Sequence, residues 1–445
     1  MSVGLQNSLY DLRIECRKRI AGIFRANGFL PSSHLLVLSR DPAFTFKRRL
    51  RVFATTPHLR PALAASFLIH LFPGGRKRGA GRARPLGATS RLSGEASSFY
   101  FNALIADLLE AARDDAPPEI WEAEMDAEMA REFEADTLEY SQAGGVIRAW
   151  GYFPIKLHRF HPGNVVYRLM HRWGAIEADL DSSSMVFVRL LKRGSGLAEA
   201  PAVLTLLEEH VRGIGRRGKN RLAYDNGVVE ADQGVLLWVH EKHNELDAGV
   251  NLNVLCLLAA LMERTEGRDR ERTARLSALA LDFLDRHIDM GSYGRKPFLM
   301  FYSLEAFAFL WHRLDRSLDS MPAALRAAFD SKDICGRLGR HLCGLVEKEI
   351  AGGAPECNSF DKLLVLPLLI RMGSPAAGPW TAVPALRAMI EDVSGSAYEF
   401  GKFIYPFTFL YGNRALGLCV ALTAIREITA AAARVATSVP APAES

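Results

Sequence analysis

The chain has 445 residues, 49% of them hydrophobic and 24% charged, with a formal net charge of +5. That is a globular composition, long enough for one large helical domain or two smaller ones. So small a charge excess, with no zinc-finger spacing and no aromatic-plus-basic strand pattern, argues against nucleic acid as a partner. The six cysteines are scattered and form no CxxC pair, so they read as reduced thiols rather than a disulfide frame. The N-terminal 24 residues carry basic side chains and no apolar core of signal-peptide length, and the longest apolar runs, 61–72 and 298–311, fall short of a bilayer span. The expectation is a cytoplasmic protein.

Taken in order, residues 1–73 read as helical, with apolar periodicity at 9–24 and 61–72. Residues 74–95 are rich in glycine and like charge and read as a flexible basic loop. Its plain role is a solvated connector; beside the 61–72 segment it would also allow peripheral contact with an anionic membrane. Helix returns at 99–113. Pro117 and Pro118 set the start of an acidic amphipathic helix at 119–140. From residue 144 the pattern repeats. Apolar helices are expected to begin near Asp181, Asp247, Ser303, Asp361 and Asn413, spaced 52 to 66 residues apart, with amphipathic helices at 200–212, 271–289, 323–350 and 382–393 between them. Each polar residue stands where a helix needs an acceptor for its free first-turn N–H groups. Short extended pieces are expected only at 146–153 and 227–239. The reading is all-α: an α/α toroid of repeated helical hairpins over 141–430, a helical N-terminal region over 1–140 and a disordered tail from 431. An open α-solenoid would share the period without enclosing a cavity.

The densest polar cluster is Glu177-Ala178-Asp179-Leu180-Asp181-Ser182-Ser183-Ser184, followed at once by the apolar run from Met185 to Leu191. Trp150-Gly151-Tyr152-Phe153-Pro154 together with Asp179-Leu180-Asp181-Ser182-Ser183 resembles the terpene cyclase toroid of the squalene–hopene cyclase and class II diterpene cyclase superfamily, in which a D-x-D-D or D-x-D-T-T motif opens an inner helix. The stretches from Gly234 to Trp238, Asn244 to Leu255 and Tyr411 to Leu416 resemble bacterial prenyltransferase-like and squalene-oxidase-like repeats. The likeness spans about 144–428. It departs from the family where the last Asp of D-x-D-D and the full Q-x-x-x-x-x-G-x-W repeat are missing.

The resemblance implies proton-initiated cyclisation of an isoprenoid, with Asp181 as general acid and Asp179 as its partner carboxylate. Burial and a neighbouring carboxylate both raise an Asp pKa and so stock the protonated form. A carbocation then needs a dry cavity lined by aromatic faces, worth about 0.5–2 kcal/mol each. Candidates for the lining are Trp150, Tyr152, Trp238, Tyr302 and Tyr411, with Phe400 among several phenylalanines. Polar contacts are expected from Asp247 and Asn251, four residues apart on one helix face, and from Asp361. Each of these has a plainer reading as well. Asp179 and Asp181 would act only as caps, Asp247 and Asn251 would close a first turn, and Asp361 would pair with Arg414 at the rim. A zinc set from His240, His243, Asp247 and Cys256 lacks the Asp-x-Cys pair of the prenyltransferase β-subunits and is set aside, so no metal and no cofactor is expected. Two alternatives stay open: a non-catalytic toroid holding a lipid or peptide, and a glycan-active toroid pairing Asp181 with Asp247 or Asp361.

Overall fold

A computed structural model describes residues 3–27, 30–37, 85–86, 93–96, 98–113, 117–135, 137–142, 145–151, 178–215, 221–222, 227–237, 239, 243–294, 298–299, 301–352, 358–404 and 408–438. The expected 61–72 helix, most of the basic loop, and Tyr152, Trp238, His240 and Cys357 lie outside them.

The described chain is mostly helical. In chain order the described helices longer than one turn are α1 (Val3–Asn27), α2 (Phe99–Ala111), α3 (Ile120–Ala135), α4 (Leu180–Lys192), α5 (Ala200–Glu209), α6 (Ala248–Arg264), α7 (Gly267–Asp289), α8 (Leu304–Asp319), α9 (Ala323–Phe329), α10 (Ile334–Ala351), α11 (Ser359–Arg371), α12 (Val383–Gly395) and α13 (Arg414–Ser438). Six of them form a closed succession. Helix α2 packs on α4, α4 on α6, α6 on α8, α8 on α11, α11 on α13, and α13 returns to α2. The others lie outside this set: α7 against α6, α10 against α8, α12 against α13, and α1 against α13 and α12. Helix α2 precedes residue 141, the expected start of the repeats, yet it packs between α13 and α4 as one of the six.

The six are buried on nearly every face because neighbours cover them, polar residues included. In α6, residues from Ala248 to Ala259 are all buried, including Asn251 and Asn253. In α8 the run from Glu305 to Asp315 is buried throughout. Helix α13 is the one described helix long and apolar enough to cross a bilayer; 67% of that stretch is buried inside the protein, as a core helix would be.

Local chemistry explains the helix ends. Ser98, Asp179, Asp247, Ser303 and Asn358 each accept from a first-turn N–H of α2, α4, α6, α8 and α11. Asn413 does the same for α13 through Ala415 and Leu416. Two starts differ from expectation by less than a turn. Asp179, not Asp181, caps α4, and Asn358, not Asp361, caps α11. The helix expected over 323–350 is broken at 330–333, where Asp333 takes a left-handed φ of 51° and the Asp330 carboxylate accepts from Ile334 N (2.7 Å) and Cys335 N (2.8 Å). Helix α13 continues past 430 to Ser438 through an alanine-rich segment of high helix propensity.

A few strands accompany the helices. β1 (Ser32–Val37) and β2 (Ser93–Ala96) join β5 (Gly401–Ile404) and β6 (Thr408–Asn413) in an antiparallel sheet of order β2-β1-β6-β5, which ties the N-terminal segment to the lead-in of α13. Pairing of distant segments is invisible to local periodicity. The hairpin of β3 (Leu138–Gln142) and β4 (Gly145–Ala149) meets the expectation at 146–153. Among its described residues the stretch 227–239 forms the isolated bridge of Val235 to Val211.

Helix α10 meets α8 at a small residue. A methyl group at Gly339 of α10 would collide with the indole of Trp311 on α8, whose Nε1 donates to the Cys335 carbonyl at 2.8 Å. Gly339→Ala is therefore expected to cost about 1–3 kcal/mol of stability by overpacking. Equilibrium urea unfolding checks this, with a lowered midpoint and an unchanged slope as the expected result.

Candidate functional site

The site assembles at the N-terminal ends of three neighbouring inner helices. Asp179 caps α4. Its Oδ1 accepts from Ser182 N at 2.5 Å, and its Oδ2 accepts from Ser182 Oγ at 3.0 Å. Ser183 fastens the same turn to Trp150, receiving its N–H at 2.9 Å and donating to its carbonyl at 3.2 Å. With the cap supplied by Asp179, the carboxylate of Asp181 is not spent on helix ends. It remains half-buried while Leu180, Ser182, Ser183 and Ser184 around it are buried.

Asp181 meets two donors from other helices. Asn253 of α6 donates from Nδ2 to Oδ1 at 2.7 Å, and the phenol of Tyr302, just ahead of α8, donates to Oδ2. Tyr302 Oη also lies 3.1 Å from Tyr100 Oη on α2, which accepts from Asn253 Nδ2 at 3.3 Å. The rings of Tyr100, Tyr302 and Phe400 form a cluster with centroids 5.8–6.5 Å apart. Gly249 makes this geometry attainable, since a methyl group there would collide with the Tyr302 ring.

Burial pushes the Asp181 carboxyl up to about 6. The Tyr302 and Asn253 hydrogen bonds oppose that rise, Asp247 adds to it, and Arg313 opposes it. Burial, then the nearby Asp181 charge, holds Asp179 well above the usual carboxylate range, against the bonds from Ser182. Behind Asn253 lies a charged chain. Arg313 of α8 donates to Asn253 Oδ1 at 3.1 Å and to Asp107 Oδ2 at 2.7 Å, and Lys192 pairs with the other oxygen of Asp107. Burial works against the Asp107 charge, yet Lys192 and Arg313 overcome it and hold that carboxyl well below its usual range. At the C-terminal ends of the inner helices this chain opens into a cavity of about 510 Å³ lined by Asp107, Lys192, Arg313, Arg316, His312 and Glu427 among others.

The sequence candidates divide accordingly. Asp181, Asp179, Tyr302 and Asp247 come together, as does Phe400. Asp247 caps α6 by accepting from Gly249 N (2.7 Å) and Val250 N (3.2 Å). Asn251 does not join them. It braces the backbone of Val235, accepting its N–H at 2.8 Å and donating to its carbonyl at 3.0 Å. Trp150 stays in the packed interior, edge-on to Phe133 and Phe187, its N–H donating to the Phe133 carbonyl at 2.9 Å. Asp361 is buried in the first turn of α11. The expected pairing with Arg414 gives way to another contact: Arg414 is exposed and donates to the Ser394 carbonyl at 2.5 Å. Tyr411 lies on β6, while Tyr152 and Trp238 fall outside the described residues. Among the described residues no group of three or more His, Cys, Asp or Glu is placed to hold a metal ion, and Cys256 is buried in α6.

Sequence reading overlooked Tyr100, Asn253 and Arg313. The signal that could have found the last two is a polar residue inside a run that is otherwise apolar, since such a group must be bonded when buried. No family model, no curated protein and no solved structure gives a significant match to this chain.

Two outcomes follow from this geometry. Removing the phenol in Tyr302→Phe takes away a bond that favours the charged form, so the Asp181 midpoint should rise above about 6. Carboxyl ¹³C shifts followed against pH, with Asp181→Asn identifying the resonance, measure it. The folded chain also binds the Asp181 proton more tightly than the unfolded chain does. Folding stability from this group is therefore present below the ordinary value of 3.8 and lost as pH rises to about 6. Asp181→Asn should flatten that part of the stability–pH curve obtained by denaturant titration.

Proposed function

We propose that this chain is a class II terpene cyclase-like α/α toroid, in which Asp181 protonates an isoprenoid double bond. One observation carries the reading. A carboxyl in the first turn of α4, pushed up to about 6 and not used as a cap, accepts from the Tyr302 phenol, whose ring clusters with those of Tyr100 and Phe400. The cyclic order α2-α4-α6-α8-α11-α13, with its second set of helices outside, is the arrangement that such a toroid requires.

The chemistry follows from the residues present. Protonated Asp181 gives up its proton as the π pair of the substrate forms a C–H bond, leaving a carboxylate on the protein and a cation on the substrate. Asn253 and Tyr302 then stabilise the carboxylate with the two bonds they direct at it. The faces of Tyr100, Tyr302 and Phe400 favour the cation, at about 0.5–2 kcal/mol each. Asp247 keeps the site acidic by opposing a second negative charge nearby. An isoprenoid partner and a cytoplasmic site of action belong to this same reading.

A second reading is a toroid that binds a lipid or peptide without turnover. It is favoured by the capping and bracing roles of Asp179, Asp247 and Asn251. Incubation with C15, C20 and C30 isoprenoids, read by mass spectrometry, separates the two. The cyclase reading expects a cyclised product whose rate falls as pH rises through about 6 and is lost by at least about a hundredfold in Asp181→Asn. Equal conversion by parent and variant would remove Asp181 from the chemistry, and no conversion of any substrate, with bound lipid recovered by extraction, would favour the binding reading.

A further inference from the structure

On the catalytic reading above, we propose that Arg313 is a positioning residue: by bonding the carbonyl end of Asn253 it fixes the amide with its NH2 toward Asp181, which confines the proton of the acid to Oδ2, on the side of the aromatic rings.

An asparagine amide has one end that only accepts and one that only donates, and a guanidinium has donors alone. The end of Asn253 that meets Arg313 at 3.1 Å is therefore its carbonyl oxygen. The NH2 end then points the other way, to Asp181 Oδ1 at 2.7 Å and Tyr100 Oη at 3.3 Å, which uses both of its hydrogens. A flipped amide would set NH2 against the guanidinium and carbonyl against the carboxylate, two repulsive contacts in a buried site. Because NH2 cannot accept, Oδ1 of Asp181 must present a lone pair in either protonation state. The carbonyl oxygen of a carboxylic acid is a better acceptor than its hydroxyl oxygen, so the donor on Oδ1 directs the proton of the acid to Oδ2. There the Tyr302 hydroxyl adapts: it donates to the carboxylate, or accepts from the acid and turns its own hydrogen to Tyr100 Oη at 3.1 Å.

Arg313 is itself held. It is buried, bonds Asp107 at 2.7 Å, and lies 3.1 Å from Met185 Sδ, while Lys192 occupies the other oxygen of Asp107. Its orientation is thus set from α2 and α4 rather than by Asp181. The titratable and charged groups around Asp181 are Asp179 at the cap of its own helix, Tyr100 from α2, Asp247 at the cap of α6, Tyr302 just ahead of α8 and Arg313 from α8. Of these, Arg313 is the one that acts through a neutral intermediary, so its geometric effect is separable from its charge.

The test reads the Asp181 proton directly, by carboxyl ¹³C titration of the full chain, so it stands whether or not isoprenoid is converted. Arg313→Lys keeps the charge and loses the planar fork, and Asn253→Leu removes the donor. Both should raise the Asp181 midpoint, Asn253→Leu by about one pH unit. The double variant should titrate like Asn253→Leu alone, because Arg313 works through that amide. A parent-like titration in Arg313→Lys, or a double variant showing the sum of the two shifts, would overturn the proposal. If Arg313→Lys fails to fold by circular dichroism, the infrared carbonyl stretch of the protonated acid decides. It should lie at the frequency of a hydrogen-bonded carbonyl in the parent and move up in Asn253→Leu; a free-carbonyl frequency in the parent is the contrary result.

Discussion

Everything in this structure depends on how the inner helices begin. Four of the six caps, Ser98, Asp179, Asp247 and Asn413, are buried and the other two, Ser303 and Asn358, are half-buried, so first-turn N–H groups are drawn away from water, and an unmet buried donor costs about 1–3 kcal/mol. Ser98, Asp179, Asp247, Ser303, Asn358 and Asn413 supply the acceptors, one for each of the six helices. The same solution is used six times because the same problem arises six times. Closure follows from packing: a helix covered on both sides by equally apolar neighbours leaves no exposed apolar edge when the last meets the first.

Against that background Asp181 is the exception. It stands two residues after a cap that already serves its helix, and it turns to Asn253 and Tyr302 instead of to backbone. A carboxyl placed there lies in the first turn, where the helix dipole favours it, but it makes no capping bond. Burial raises its pKa while two bonds to the charged form temper the rise, which leaves it able both to hold a proton and to release one. Opposite-sign effects of this kind are the usual means by which a protein tunes an acid.

Behind the acid, charge runs from one end of the inner helices to the other: Asp181, Asn253, Arg313, Asp107, Lys192. Arg313, Asp107 and Lys192 each have an opposite charge against them, and Asp181 has two hydrogen-bond donors, as desolvation demands. The line joins α4 to itself through α6, α8 and α2, so it also orders the helices relative to one another. Arginine suits the middle position because its planar fork addresses two acceptors at once.

Much of this architecture was legible in the amino-acid order. Apolar runs preceded by Asp, Ser or Asn gave the starts of five inner helices, because capping is local and periodic burial is written in composition. Asp179 and Asp181 stood out together for the same reason, although nothing local distinguishes a cap from an acid two residues later. That distinction was made by Asn253 and Tyr302, which lie 72 and 121 residues along the chain from Asp181. Likewise Trp150 and Asn251 matched a binding pattern in sequence, and packing against Phe133 and the Val235 backbone turned them to structural ends. The sheet that ties Ser32–Val37 to Thr408–Asn413, the packing of α2 against both α4 and α13 and the direction of Arg313 were likewise decided only in three dimensions. A capping bond spans three residues and can be read from them. A contact between helices depends on which faces meet, and only the folded chain determines that.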